Sequence, residues 1–198
     1  MESLPHADTL TRLLERIDVT QLEIAHVEMI TRFIRNKKFR RYLINGCYPI
    51  AIDGTQKLSR DGMWCSVEWL ERRFETSDGE KIQQYVYVLE ANLVFHNGLT
   101  LPLLSEFLSY AEGDSENHKQ DCELNAFKRL AARLKKDFPR LPILMLLDGL
   151  YANGPVMEQC LNFGWSFMIV LQNNCLPSVW EDVHSLKQLQ PKNHRNWR

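Results

Sequence analysis

The chain lacks the features that would commit it to a specialised environment. Its five cysteines, Cys47, Cys65, Cys122, Cys160 and Cys175, are odd in number, scattered, and form no C-x-x-C pair. That argues against a disulfide framework and against a structural zinc site, and it reads as reduced, mostly buried thiols in a cytosol. No apolar run approaches the ~18 residues needed to cross a bilayer, so no membrane partner is expected. Met1-Glu2-Ser3-Leu4-Pro5 has neither the basic start nor the apolar stretch of a signal peptide, and the expected location is cytoplasmic. Charge of one sign is missing too. Against 24 Lys and Arg stand 25 Asp and Glu, a formal net charge of -1, so any contact with nucleic acid must come from a local patch. Internal repeats and long low-complexity tracts are also absent.

What remains is a chain of 198 residues with ordinary globular composition, long enough for one sizeable core and a small appendage. Its most informative feature is a pair of aspartates, each ending an apolar run and followed by glycine: Tyr48-Pro-Ile-Ala-Ile-Asp53-Gly54-Thr55 and Pro142-Ile-Leu-Met-Leu-Leu-Asp148-Gly149. Such runs read as buried strands. If the two strands are parallel neighbours, both carboxylates emerge at one edge of a sheet. Bare paired carboxylates resist ionising together, and a hard divalent cation such as Mg2+ removes the conflict. Metal-assisted phosphoryl chemistry is one reading. The other is that each Asp-Gly is an ordinary turn or cap.

The order of elements frames the pair. Residues 1–46 read as helical. One helix follows Asp8 as N-cap and carries Leu10, Leu13, Leu14 and Ile17. A second opens on a Thr20–Glu23 capping box and carries Leu22, Val27, Ile30 and Ile34. It runs into Arg32, Arg35, Lys37, Lys38, Arg40 and Arg41 with no acid between them. This run is either a phosphate-contacting patch or a solvated helix C-terminus, where cations suit the dipole. After the strand ending at Asp53, residues 56 to 83 read as an irregular excursion with turns at Asp61-Gly62 and Asp78-Gly79, packed by Trp64, Trp69 and Phe74. Residues 84–95 and 99–104 form a hairpin about Asn97-Gly98, with Pro102 marking an edge or an early end. Residues 111 to 120 read as a loop. Asp121 caps a helix whose face is Leu124, Phe127, Leu130, Ala131 and Leu134. The Asp148 strand, a helix opening on Asn153-Gly154-Pro155 and closing at Gly164, a strand over 165–171, and a helix about Trp180, Val183 and Leu186 complete the chain. The expected fold is α/β, a mixed sheet flanked by helices, with a site at the C-terminal ends of its parallel strands.

Four stretches also match a known family in order and spacing: Ile50-Ala-Ile-Asp53-Gly-Thr-Gln56, Tyr87-Val-Leu-Glu90-Ala-Asn-Leu, Gln120-Asp-Cys-Glu-Leu-Asn-Ala-Phe127 and Leu147-Asp148-Gly-Leu-Tyr151-Ala. Together with His6-Ala-Asp-Thr-Leu-Thr-Arg-Leu13, they make the chain resemble the DDE transposases of bacterial insertion sequences along nearly its whole length. The resemblance implies a ribonuclease H-like mixed sheet of about five strands flanked by helices. It divides the chain into an N-terminal helical segment at 1–46, an incomplete catalytic core at 47–175, and a tail at 176–198 that starts a missing segment.

By the same resemblance Asp53 and Asp148 are the first two catalytic acids and metal ligands. In the family three carboxylates hold two Mg2+ or Mn2+ ions, which activate the nucleophile and stabilise the leaving oxygen in cleavage and strand transfer at the element's ends. The implied partners are DNA, as terminal repeats and target, and a second copy of the chain. The family's third acid, a glutamate on a later helix, has no counterpart: Glu158 precedes the last strand, and Glu181 and Asp182 fall in a different stretch. The chain therefore reads as a C-terminally truncated transposase with little or no activity alone, or as a non-catalytic DNA-binding or dimerising remnant. Glu90, Glu106, Asp121 and Glu123 also lie in matching stretches, where Glu90 reads as an outward-facing strand residue. His96, His118 and the tryptophans show no ligand or base-stacking spacing, and the basic end at Lys192, His194, Arg195 and Arg198 reads as a frayed terminus.

Overall fold

The computed structural model describes residues 6–62, 70–77, 79–108, 119–172 and 175–189. Trp64, Trp69, Asp78, His118 and the basic end beyond 189 lie outside them. Two helices open the described chain, α1 (Ala7–Leu14) and α2 (Val19–Arg35). Both are capped slightly earlier than expected. His6, not Asp8, caps α1, and the Asp18 side chain accepts from the Thr20 and Gln21 N–H groups at 2.9 and 3.4 Å. Aspartate satisfies the orphan donors of a first turn at least as well as threonine. Thr20 thus lies inside α2, and Glu23 is free to turn elsewhere.

Among the described residues six strands form one sheet: β1 (Tyr48–Asp61), β2 (Leu70–Thr76), β3 (Gly79–Val94), β4 (Thr100–Phe107), β5 (Ile143–Leu147) and β6 (Ser166–Ile169). The order runs β2-β3-β1-β5-β6, with β4 also on β3. β3 is long enough to hold both neighbours on one edge. Its first half pairs with β2 and its second half with β4, both antiparallel. On its other edge it pairs antiparallel with β1, which pairs parallel with β5, which pairs parallel with β6.

The described residues from 56 to 83 are therefore mostly strand. β1 does not stop at Asp53 but continues to Asp61 against β3, with a bulge between Gln56 and Leu58. The polar composition hid this, because the extension of β1 has little buried face to write an apolar pattern. The hairpin forms as expected: Gly98 takes φ +85° and the Phe95 N–H donates to the Leu99 carbonyl at 3.0 Å. Pro102 sits at a bulge, where Ala91 faces Leu104 and Asn92 faces Pro102. The extra residue, Leu103, breaks the alternation, so Leu103 and Leu104 are both buried.

Three further helices, α3 (Lys119–Asp137), α4 (Gly154–Asn162) and α5 (Pro177–Leu189), complete the described fold. α3 starts before Asp121, which lies inside it rather than capping it. Its Phe127, Leu130, Ala131 and Leu134 are fully buried in one core with Ile50 of β1, Leu89 and Leu93 of β3 and Met145 of β5. Burying a large apolar side chain contributes about 1.5–3 kcal/mol. Asn153 caps α4 by accepting from the Val156 N–H at 3.1 Å, and Gly164 (φ +72°) closes it, both as read. No described helix is long and apolar enough to cross a membrane.

Candidate functional site

Register brings the two aspartates together. β1 and β5 are parallel, with Tyr48 level with Ile143, Ile50 with Met145 and Ala51 with Leu146. Continued two residues past its last pair, the same register carries Asp53 and Asp148 to the same end of the sheet. β5 ends at Leu147, so β1 loses that neighbour where the acids stand, and both side chains are exposed. Asp148 also caps the single 3-10 turn Gly149–Tyr151, its Oδ1 accepting from the Leu150 N–H at 3.0 Å. The cap reading thus holds for Asp148. For Asp53 the turn reading fails, since Gly54 continues the strand.

The glycines serve close packing. A Cβ on Gly54 would lie 2.7 Å from the ring and hydroxyl of Tyr87, and one on Gly149 would lie 2.7 Å from the Gln172 side chain. Tyr87 is held across Gly54 by a hydrogen bond to Glu123, near the start of α3. Glu123 is 8% exposed. Tyr151, 2% exposed, packs its ring 5.2 Å from that of Phe127, one helical turn from Glu123. Burial first, then the negative charge of Glu123, pushes both phenols well above their ordinary range; Asp53 and Asp148 add to the effect on each. All three carboxylates thus act on the same two hydroxyls.

Glu123 is the site residue that sequence reasoning left without a role. The readable signal was a carboxylate on the apolar stripe of a helix, one turn before Phe127. What could not be read is the long-range approach of Tyr87 and Tyr151. Glu90 lies directly opposite Asp53 in the β1–β3 register. It is not a bare outward residue, because Lys57 pairs with it at 2.9 Å and only 27% of its side chain is exposed. Glu90 also stands on the wall of an open groove of about 830 Å³ between α2 and β4, with Leu22, His26 and Phe107. Glu106 is structural, held by Arg129 at 2.6 Å and Arg133 at 2.9 Å. Glu158 is exposed on α4, and Glu181 and Asp182 are exposed on α5.

Two exposed carboxylates at one end of a sheet suit a hard cation that keeps most of its waters, since Mg2+ commonly takes only one or two protein carboxylates. Among the described residues, no three His, Cys, Asp or Glu groups come close enough to hold one ion directly. The basic run is elsewhere. Arg32 and Arg35 end α2, and Lys37, Lys38, Arg40 and Arg41 follow it, all exposed. This segment is pinned by Phe39 stacked on Phe95 at 5.2 Å and by Tyr42 at 5.6 Å from the same ring. Phe95 lies at the hairpin turn, next to the start of β1. The strand from Tyr48 to Asp53, roughly 17 Å long, separates that end from the acids.

The strand order, with one antiparallel strand between the aspartate-bearing strand and the β4 edge, defines the class: a mixed α/β sheet flanked by helices, with β2 as a strand beyond the five expected. No protein-family model matches the chain, and no curated protein sequence does. Among solved structures, it is similar to the catalytic domain of Mos1 mariner transposase, at 13% identity and a TM-score of 0.29, covering 98% of this chain and 79% of that one. It is also similar to the Mos1 transposase in a paired-end complex with the left transposon end, at 12% identity and a TM-score of 0.30, covering 94% of this chain and 57% of that one. Superpositions this loose leave the class to be read from the strand order itself.

Proposed function

We propose that the chain is a transposase-like catalytic module whose Asp53 and Asp148 seat a divalent cation, Mg2+ or Mn2+, for attack on a DNA phosphodiester. The observation that supports this is the parallel β1–β5 register, which brings the ends of both acid-bearing strands to one end of the sheet. When bound, the cation would polarise the phosphoryl group and favour ionisation of an attacking water or hydroxyl. The protein's own part is to hold the two carboxylates at that end, one on an uninterrupted strand and one fixed by its cap bond to Leu150. The bacterial insertion-sequence family of the DDE type is the resemblance that gives terminal repeats and target DNA as substrates, and a second copy as partner. With two of that family's three acids assigned, cleavage is expected to be weak. Incubation of end-containing DNA with Mn2+ tests this: slow nicking that Asp148→Ala abolishes supports it, whereas nicking that survives in Asp53→Ala and Asp148→Ala sinks it.

A second reading is DNA binding without cleavage. It is favoured by one observation, the distance of the basic run from the acids, which lets the two work independently. Salt-sensitive binding to terminal repeats with no nicking at any Mn2+ concentration would establish it.

A further inference from the structure

A cation stands near Asp53 that owes nothing to the basic run at the far end of the buried part of β1. It is Lys57, four residues further along the same strand. That separation is even, so both side chains leave the same face of the sheet. On an undistorted strand the Lys57 Cα would lie roughly 13 Å beyond that of Asp53. Lys57 is, however, the extra residue of the bulge between Gln56 and Leu58, unpaired in the β1–β3 register. A bulge bends its strand and re-aims the side chain it carries. Here the side chain turns back, and its ammonium meets the Glu90 carboxylate at 2.9 Å. Glu90 is the β3 residue directly opposite Asp53, and directly opposite residues of an antiparallel pair are close neighbours on one face. The ammonium is thus returned to the level of Asp53.

We propose that Lys57 binds phosphate at this site, donating to an oxygen of the DNA strand that lies against Asp53, with Glu90 holding the ammonium in place. The proposal rests on the reading of the chain as a module that acts on DNA. An ammonium has three donors, and among the described residues Glu90 takes one. The Lys57 side chain is 46% exposed and that of Glu90 27%, so the cation is the outer member of the pair. Both residues line the open groove between α2 and β4, and the ammonium faces space rather than packed protein. Charge makes the same point. Asp53 and Glu90 stand abreast, and a phosphodiester approaching two carboxylates is repelled unless positive charge meets it. Lysine supplies that charge as a compact point donor suited to phosphate. Glu90 is then a positioning residue, acting through Lys57.

The test uses the whole chain and end-containing duplex DNA, with affinity read by fluorescence anisotropy over a salt series and nicking followed in Mn2+. Lys57→Met removes the charge and the bond to Glu90. Lys57→Gln removes the charge but can still donate to Glu90, so it separates phosphate binding from a purely structural tie. Both should lower the slope of log affinity against log salt by about one, for one phosphate no longer neutralised. Both should slow nicking about tenfold or more, as loss of a hydrogen bond to a charged group implies. Lys57→Arg keeps the charge and should keep the native slope. None of the three should weaken Mn2+ binding measured by calorimetry without DNA, because a positive charge beside the acids only opposes it. If Lys57→Met and Lys57→Gln bind DNA with the native slope, Lys57 is an ordinary surface ion pair, and this proposal falls while the DNA reading stands. If the native chain binds no DNA at low salt, that reading falls and takes the proposal with it.

Discussion

A Cβ on Gly54 would meet the far end of the Tyr87 ring at 2.7 Å, and that ring is anchored by its hydrogen bond to Glu123. Gly54→Ala should therefore destabilise the chain by about 1–3 kcal/mol, the usual cost of overpacking, as a lower urea midpoint. An unchanged midpoint would mean that Tyr87 swings aside. At Gly149 the nearest obstacle is the flexible side chain of Gln172, so Gly149→Ala should cost less. The phenols have a pH consequence. Tyr87 and Tyr151 are raised above the ordinary 10.0 by burial first and by Glu123 next, and burial pushes the Cys160 thiol from 9.0 up to about 11. Unfolding lets these groups ionise at their lower, ordinary values. Their contribution is thus complete below about pH 9, fades first through Cys160 between about 9 and 11, and continues to fade above about 10 through the tyrosines. The urea midpoint should fall from about pH 9 upward, less steeply in Tyr151→Phe. A flat profile across that range would contradict the burial of all three.

At the scale of elements, α2 is tied to the sheet through one guanidinium. Arg133 of α3 donates to Glu23 of α2, to Glu106 of β4 at 2.9 Å and to the Ser105 carbonyl at 2.8 Å. Partial burial disfavours its charge, yet Glu23 and Glu106 outweigh that and raise its pKa. His26 of α2 adds a 2.7 Å hydrogen bond to the Pro102 carbonyl at the β4 bulge. Arg133→Ala leaves Glu106, 14% exposed in its side chain, facing Arg129 alone. The expected cost is about 2 kcal/mol, typical of hydrogen bonds to charged groups. Glu23→Ala removes only the α2 arm. It should raise amide hydrogen exchange in α2 while leaving α3 and β4 protected. Equal loosening of all three elements would show that α2 is not a separately held unit.

Across the whole molecule, the acids and the basic run stand at opposite ends of the buried part of β1. Binding and metal chemistry should separate accordingly. Replacing Arg40 and Arg41 with alanine should reduce the slope of log affinity for DNA against log salt by about two, one for each phosphate that is no longer neutralised, without changing Mn2+ affinity. Asp53→Asn should do the reverse. Fluorescence anisotropy over a salt series checks the first and calorimetry the second. A salt slope unchanged by the double substitution would return Arg40 and Arg41 to the solvated-terminus reading.

The sequence alone determined what is local. The Asn97-Gly98 turn, the apolar face of α3 and the Asn153 cap of α4 are each written within a few residues, so chemistry and spacing sufficed. The buried strands leading to Asp53 and Asp148 were readable for the same reason, since a sheet core demands continuous apolar runs. Competing caps were not readable, because His6 and Asp18 displace Asp8 and Thr20 through backbone geometry that composition does not encode. Nor was the polar extension of β1 and β2, whose pairing depends on a distant partner. Tertiary structure alone decided the rest. Register set Asp53 and Asp148 at one end of the sheet. Long-range packing brought Tyr87, Glu123 and Tyr151 behind them. The fold also carried the basic run to the far end of the sheet. Pairing and packing join residues that the chain itself keeps tens of positions apart, and no local pattern records them.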